Sequence, residues 1–168
     1  MKEPTPLVAA LLVATLGSAC SGYMPRELRS GQTEADAVRE LGPPTGRHAL
    51  PGGMQRLEFA RGPYGKHTYM VDLDAQGRVI GWQQVLTEDH FNQVRAGETR
   101  EALLRRLGRP SEVRAGDWQG GQVWSYRYET LMGLCQWFQV SLDDHGVVTS
   151  TGYGIDPRCD HNDTIRNP

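Results

Sequence analysis

The densest group of chemically capable side chains is Asp143-Asp144-His145, two carboxylates and an imidazole in consecutive positions. Such a set could relay a proton or hold a metal ion. A second group, Asp156-Pro157-Arg158-Cys159-Asp160-His161-Asn162-Asp163, crowds ligand-type residues near the C-terminus. The surroundings of both argue against chemistry. Asp143 to His145 runs into Gly146 and matches Asp74-Ala75-Gln76-Gly77 earlier in the chain, so it reads as a solvated turn. Nothing in the tail group fixes the geometry a metal needs. The histidines, His48, His67, His90, His145 and His161, are scattered without His-x-x-x-His or His-Glu-x-x-His spacing. No serine sits in a Gly-x-Ser-x-Gly elbow. Pro51-Gly52-Gly53 and Gly120-Gly121 fit hairpin turns better than a phosphate loop. The expectation is a protein that is not an enzyme, with no catalytic residue, metal or cofactor.

The formal charge of -2 on 168 residues carries no basic excess, which argues against a nucleic-acid partner. Composition is that of an ordinary globular chain, except at the N-terminus. From Leu7 to Ala19 there is no charge, and the run ends in Gly17-Ser18-Ala19 before Cys20. It is too short for the roughly 20 apolar residues that cross a bilayer, and its small-residue end is that of an export leader. Leu16-Gly17-Ser18-Ala19-Cys20 resembles the lipobox of bacterial lipoproteins, with the leucine one place earlier than usual. The resemblance implies cleavage after residue 19 and a palmitate-type lipid on Cys20. If Cys20 carries lipid, Cys135 and Cys159 are an even pair in an oxidising compartment, where a disulfide is the default. The other reading makes Cys135 a buried apolar residue and Cys159 a free thiol in the tail.

The elements that must position any site come from an internal repeat. Gly31-Gln32-Thr33, followed by a helical run to Leu41-Gly42-Pro43-Pro44-Thr45, recurs as Gly97-Glu98-Thr99, a helical run, and Leu107-Gly108-Arg109-Pro110-Ser111. Thr33 and Thr99 are natural N-caps. Ala37, Val38 and Leu41, like Leu103, Leu104 and Leu107, collect on one helical face. Gly42 and Gly108 end the helices and Pro44 and Pro110 prevent their resumption. Strand-like runs follow at 55–60, 67–73 and 78–85 in the first copy, and at 123–128, 135–142 and 147–153 in the second. The expected fold is α+β: two tandem repeats, each a capped helix followed by an antiparallel three-stranded meander, packed into one body because neither could bury enough surface alone. The expected organisation is leader 1–19, tether 20–30, first repeat 31–86, connector 87–96, second repeat 97–159 and tail 160–168.

Gly-x-Thr, an apolar-faced helix, Leu-Gly-x-Pro-Ser/Thr, an aromatic strand and an Asp-x-x-Gly hairpin together resemble the SmpA/OmlA/BamE outer-membrane lipoprotein domain. They also resemble the tandem repeats of beta-lactamase inhibitor proteins that share its fold. The resemblance implies a non-enzymatic domain that binds envelope proteins, in outer-membrane or beta-barrel assembly and maintenance. It also implies a membrane attachment through the lipid anchor, facing the periplasm, and Ser21 after the lipidated cysteine favours the outer membrane. The alternative is a periplasmic inhibitor-like protein gripping an enzyme with its concave sheet. Trp and Tyr dominate protein interfaces, so Trp118, Trp124, Tyr126, Tyr128 and Trp137 are the candidate partner-binding residues. Alternate members of their strands must instead form the core.

Overall fold

The computed structural model describes residues 25, 27–62, 64–116 and 120–158. Cys20, Trp118 and Cys159 lie outside them, as do the expected leader and tail. No helix among the described residues is long and apolar enough to cross a membrane.

Two helices begin where the threonines place them. In α1, Glu34–Leu41, the Thr33 hydroxyl accepts from the Asp36 amide at 3.3 Å, and the Asp36 carboxylate accepts from the Thr33 amide at 2.9 Å. This reciprocal pair satisfies two of the amides that a helix start leaves orphaned. Ala37 and Leu41 form its buried stripe. The chain leaves through Gly42 at φ 80°, whose amide donates to the Val38 carbonyl at 2.8 Å. A longer-range copy of this arrangement is α3, Arg100–Leu107. There the Thr99 hydroxyl accepts from the Ala102 amide at 3.2 Å, Leu103 and Leu107 are buried, and Gly108 exits at φ 77°. Position Ala102 has no carboxylate to return the bond, so α3 is capped from one side only.

After α1 come β1 (Gly46–Ala49), β2 (Gln55–Ala60), β3 (Thr68–Leu73) and β4 (Val79–Gln84). After α3 come β5 (Glu112–Ala115), β6 (Gln122–Glu129), β7 (Cys135–Leu142) and β8 (Val148–Ile155). The sheets run β1-β2-β3-β4 and β5-β6-β7-β8, antiparallel throughout. The α+β class is therefore as expected, but each meander has four strands where three were read. The strands missed, β1 and β5, are Gly-Arg-His-Ala and Glu-Val-Arg-Ala. They lack the apolar alternation that marks a half-buried strand, and are strands because β2 and β6 present an open edge to the chain leaving each helix. Between the sheets, α2 (Glu88–Phe91) occupies the expected connector, capped by Thr87 and burying Phe91.

The elements stack in layers. One core packs Ala37 and Leu41 of α1, with Leu28, against Leu57, Phe59, Tyr69, Val71, Leu73 and Val79 of the first sheet. The other joins Leu103 and Leu107 of α3 and Phe91 of α2 to Trp124, Tyr126, Tyr128, Phe138, Val140 and Leu142 of the second sheet, and it includes Met70 and Val85 from the first. Met70 pairs across strands with the buried Glu58, so both look out of the first sheet on the side away from α1. Helix α3 is thus held between the two sheets. Glu58 binds this seam: its carboxylate accepts from the Arg109 amide and the Thr45 hydroxyl, both at 3.1 Å, and lies 3.1 Å from the His48 ring. Arg56, bidentate to Asp72, also donates to the Arg105 carbonyl of α3 at 3.0 Å.

Candidate functional site

Among the described residues, one sheet face is left uncovered by this stacking. On the second sheet, the side turned away from α3 carries Glu112, Arg114, Ser125, Arg127, Trp137 and Gln139, which follow from the pairings Glu112 with Ser125, Ser125 with Gln139, and Arg127 with Trp137. A hollow of about 380 Å³ opens there, lined by Glu112, Arg114, Ser125, Trp137, Gln139, Ile155 and Pro157. Strand alternation builds it: each position between two core residues of β6 and β7 must point outward.

Beside the hollow lies a buried ion pair. The Arg127 guanidinium is 4 % exposed and forms a double hydrogen-bonded ion pair with Asp156, which is fully buried. Its centre lies 4.7 Å from the centre of the Trp137 ring, a stacking distance for a cation over an indole face. Asp156 also accepts from the Arg158 amide at 3.0 Å, closing a turn just after β8. Arg158 then stands 4.7 Å from the Tyr64 ring of the other unit. A hydrogen bond with Tyr64 holds the Arg158 guanidinium still further above its ordinary pKa. In the hollow's lining Glu112 and Arg114 are exposed and 3.6 Å apart at closest, while Gln139 donates to the Ser125 hydroxyl at 3.1 Å. The surface offers hydrogen-bond donors and acceptors of both signs around one indole, which suits recognition of a protein surface.

The aromatic residues named from the sequence divide accordingly. Trp124, Tyr126 and Tyr128 are 5 %, 0 % and 1 % exposed and point toward α3, so they are core and not a contact surface. Their polar atoms are already used: Tyr126 donates to the Gly108 carbonyl at 3.2 Å, Tyr128 to Gln136 at 2.7 Å, and Trp124 to Gln122 at 3.0 Å. Burial raises the pKa of both tyrosines, so neither phenol ionises near neutral pH. Trp137 alone of the four described is on the outer face, where the Arg127 guanidinium stacks on its ring and it is 7 % exposed. Trp118 lies outside the described residues. Ser125, Gln139, Glu112 and Arg114 were not singled out from the sequence, although the alternation of polar and apolar residues along β6 and β7 marks the first two.

The other candidates are turn residues. Asp143 accepts from the His145 and Val147 amides, both at 2.9 Å, and Asp144 accepts from the Gly121 amide at 2.7 Å. Asp74 does the same for Gln76 and Arg78 in the first sheet. A carboxylate committed to two backbone amides closes a hairpin. Among the described residues no group of three His, Cys, Asp or Glu side chains could hold a metal ion. Cys135, at the head of β7, is engaged by a partner; Cys159 lies outside the described residues. No protein-family model and no curated protein matches the chain.

Proposed function

We propose that the protein is an exported, lipid-anchored, non-enzymatic module of the bacterial envelope that binds another protein through the outer face of its second sheet. The uncharged run ending at Cys20 supports export and lipidation. The observation that carries the binding reading is the contrast between equivalent faces. The first sheet's outer face is filled by α3 of the same chain, whereas no described element packs over the hollow on the second sheet's, beside the buried Arg127-Asp156 pair and Trp137. The order of elements, a threonine-capped helix and then a four-stranded sheet, is the same in both halves, which supports descent from one duplicated unit of the SmpA/OmlA/BamE kind. In this reading the membrane partner is the periplasmic side of the outer membrane, and Cys135 pairs with Cys159 in an oxidising compartment.

The test has two parts. Intact mass of the protein from host membranes should equal the chain from Cys20 plus a diacylglyceryl and an acyl group, and rise by two hydrogens on reduction. Cross-linking in the envelope should then retrieve a defined protein, and Arg114→Glu combined with Gln139→Lys should lose it. Retrieval unaffected by these outer-face changes would refute the assignment of the face. A cleaved chain without lipid, soluble in the periplasm, would favour the inhibitor-like reading, in which an enzyme loop enters the same hollow.

A further inference from the structure

A sheet edge states what can bind it, because its outward amides and carbonyls alternate at a spacing that another extended backbone alone can match. The molecule has four such edges. Two are short and charged: β1 is Gly-Arg-His-Ala and β5 is Glu-Val-Arg-Ala, four residues each. On β4 the side chains are overhung from both faces, with Trp82 donating to the Leu28 carbonyl at 3.2 Å and Gln83 3.3 Å from the His90 ring. The fourth edge, β8, has eight residues, Val-Thr-Ser-Thr-Gly-Tyr-Gly-Ile, with no charge and no proline. Val148 exchanges bonds with Gly97 and Glu98, both at 2.8 Å. Beyond it, no described residue pairs with the outer side of the strand, and residues 149–153 and Ile155 are exposed.

Charge, brevity and overhanging side chains are the usual guards against edge pairing; β8 lacks the first two and is covered on one face only, where Tyr153 donates to Asn92 at the end of α2 at 2.9 Å and its ring lies 6.4 Å from that of Phe91. The structure assigns β8 as a strand-addition site: it takes an extended, uncharged segment of another protein, with apolar residues at alternate positions. Tyr153 and Ile155, 48 % and 72 % exposed and two residues apart, share one face and would meet those apolar residues. On the opposite face Gly152 and Gly154 leave the edge bare, and a Cβ built on Gly152 has nothing within 4 Å, so a bulky partner side chain has room there. This edge adjoins the hollow that carries the proposed function, since Ile155 lines both and Gly152 pairs with Gln139, but Glu112 and Arg114 lie across the sheet from it on β5. A second copy of the chain would be a poorer occupant. One pair of edge strands covers little of the roughly 1,200 Å² at which specific protein interfaces begin.

The probe is a capped, uncharged peptide alternating valine or tyrosine with threonine, titrated into the protein purified from host membranes, with amide hydrogen exchange read by mass spectrometry. Saturable binding is expected, with exchange slowed over residues 148–155. The same peptide N-methylated at alternate amides should not bind. Gly152→Lys puts a charge on the edge at a position with space for it, and should weaken binding by about tenfold or more with an unchanged unfolding midpoint. Arg114→Glu, in the hollow, should leave the titration unaltered. The proposal is overturned by absence of saturable binding, by protection mapping to β5 and β6, or by equal binding of the N-methylated peptide. It is also overturned if residues 148–155 are protected in the peptide-free protein and lose that protection on dilution, since a second copy would then fill the edge.

Discussion

The first and second sheets share strand order, hairpin chemistry and a capped helix on one face, yet their outer faces have opposite fates. Met70 and Gln139 occupy the same place in their sheets, each paired with the middle of the preceding strand, Glu58 and Ser125 respectively. Met70 is fully buried beneath the end of α3, while Gln139 is half-exposed at the rim of a hollow. The same strand order and pairing therefore tolerates either environment. What differs is whether another element of the chain arrives: α3 follows the first sheet, and no described helix follows the second. A face built for burial carries the apolar Met70 and the matched Glu58 network, and one that stays open carries side chains that remain comfortable in water.

This comparison can be broken most sharply at the two helix exits. Gly42 and Gly108 both hold a backbone conformation that side chains rarely adopt, but a Cβ on Gly42 meets nothing within 4 Å. On Gly108 it would come within 2.9 Å of the Glu58 carboxyl carbon and 3.1 Å of Met70. Denaturant unfolding should show Gly42→Ala costing about 2 kcal/mol from backbone strain, and Gly108→Ala about 4 kcal/mol because overpacking of the seam is added. Equal losses would mean that α3 is not pressed onto the first sheet.

Next in size is the ion pair beside the hollow. Arg127→Ala leaves Asp156 buried without its main partner, and should cost about 3 kcal/mol by the same measurement. A loss under about 1 kcal/mol would show that the pair is hydrated.

Exchanging the equivalent residues sharpens the contrast further. Met70→Gln should destabilise by about 2 kcal/mol, since the amide enters an apolar seam, whereas Gln139→Met should change stability by less than about 0.5 kcal/mol. Thermal unfolding of both variants checks this, and similar effects would erase the distinction between the faces.

The smallest effect separates the helix caps. Hydrogen bonds from the Thr33 backbone and side chain hold the Asp36 carboxyl at about 2, below the usual 3.8, and α3 has no such residue. A depressed carboxyl stabilises the fold above its unfolded pKa and loses that contribution as pH falls through its folded pKa. The stability advantage of wild type over Asp36→Asn should therefore be constant above about pH 4 and shrink toward pH 2. A pH-independent difference would show that the carboxylate charge adds nothing to the cap.

The parts legible in the sequence were those decided by near neighbours. Thr33 and Thr99 begin the helices, Gly42 and Gly108 end them, and Asp74 and Asp143 close the hairpins, because each of these acts through amides within about four residues. The longer strands were visible through alternation. β1 and β5 were not, because their residues have no apolar period and they are stabilised by a ladder that a distant strand supplies. The aromatic residues misled for a related reason. The sequence showed that β6 and β7 each have two faces, but not that Trp124, Tyr126 and Tyr128 lie on the face covered by α3, nor that Trp137 lies beneath Arg127.

By itself, then, the sequence determined the class of fold, the start and stop of each principal helix and the hairpin turns, all of which depend on local backbone hydrogen bonding or on hydropathy along one segment. Tertiary structure alone decided that α3 lies between the sheets, that Glu58 ties the halves together, and that no described element covers the second sheet's outer face or pairs with β8 beyond Val148. Those are questions of which surfaces meet, and the free energy of burial belongs to the pair of surfaces in contact rather than to either stretch of chain.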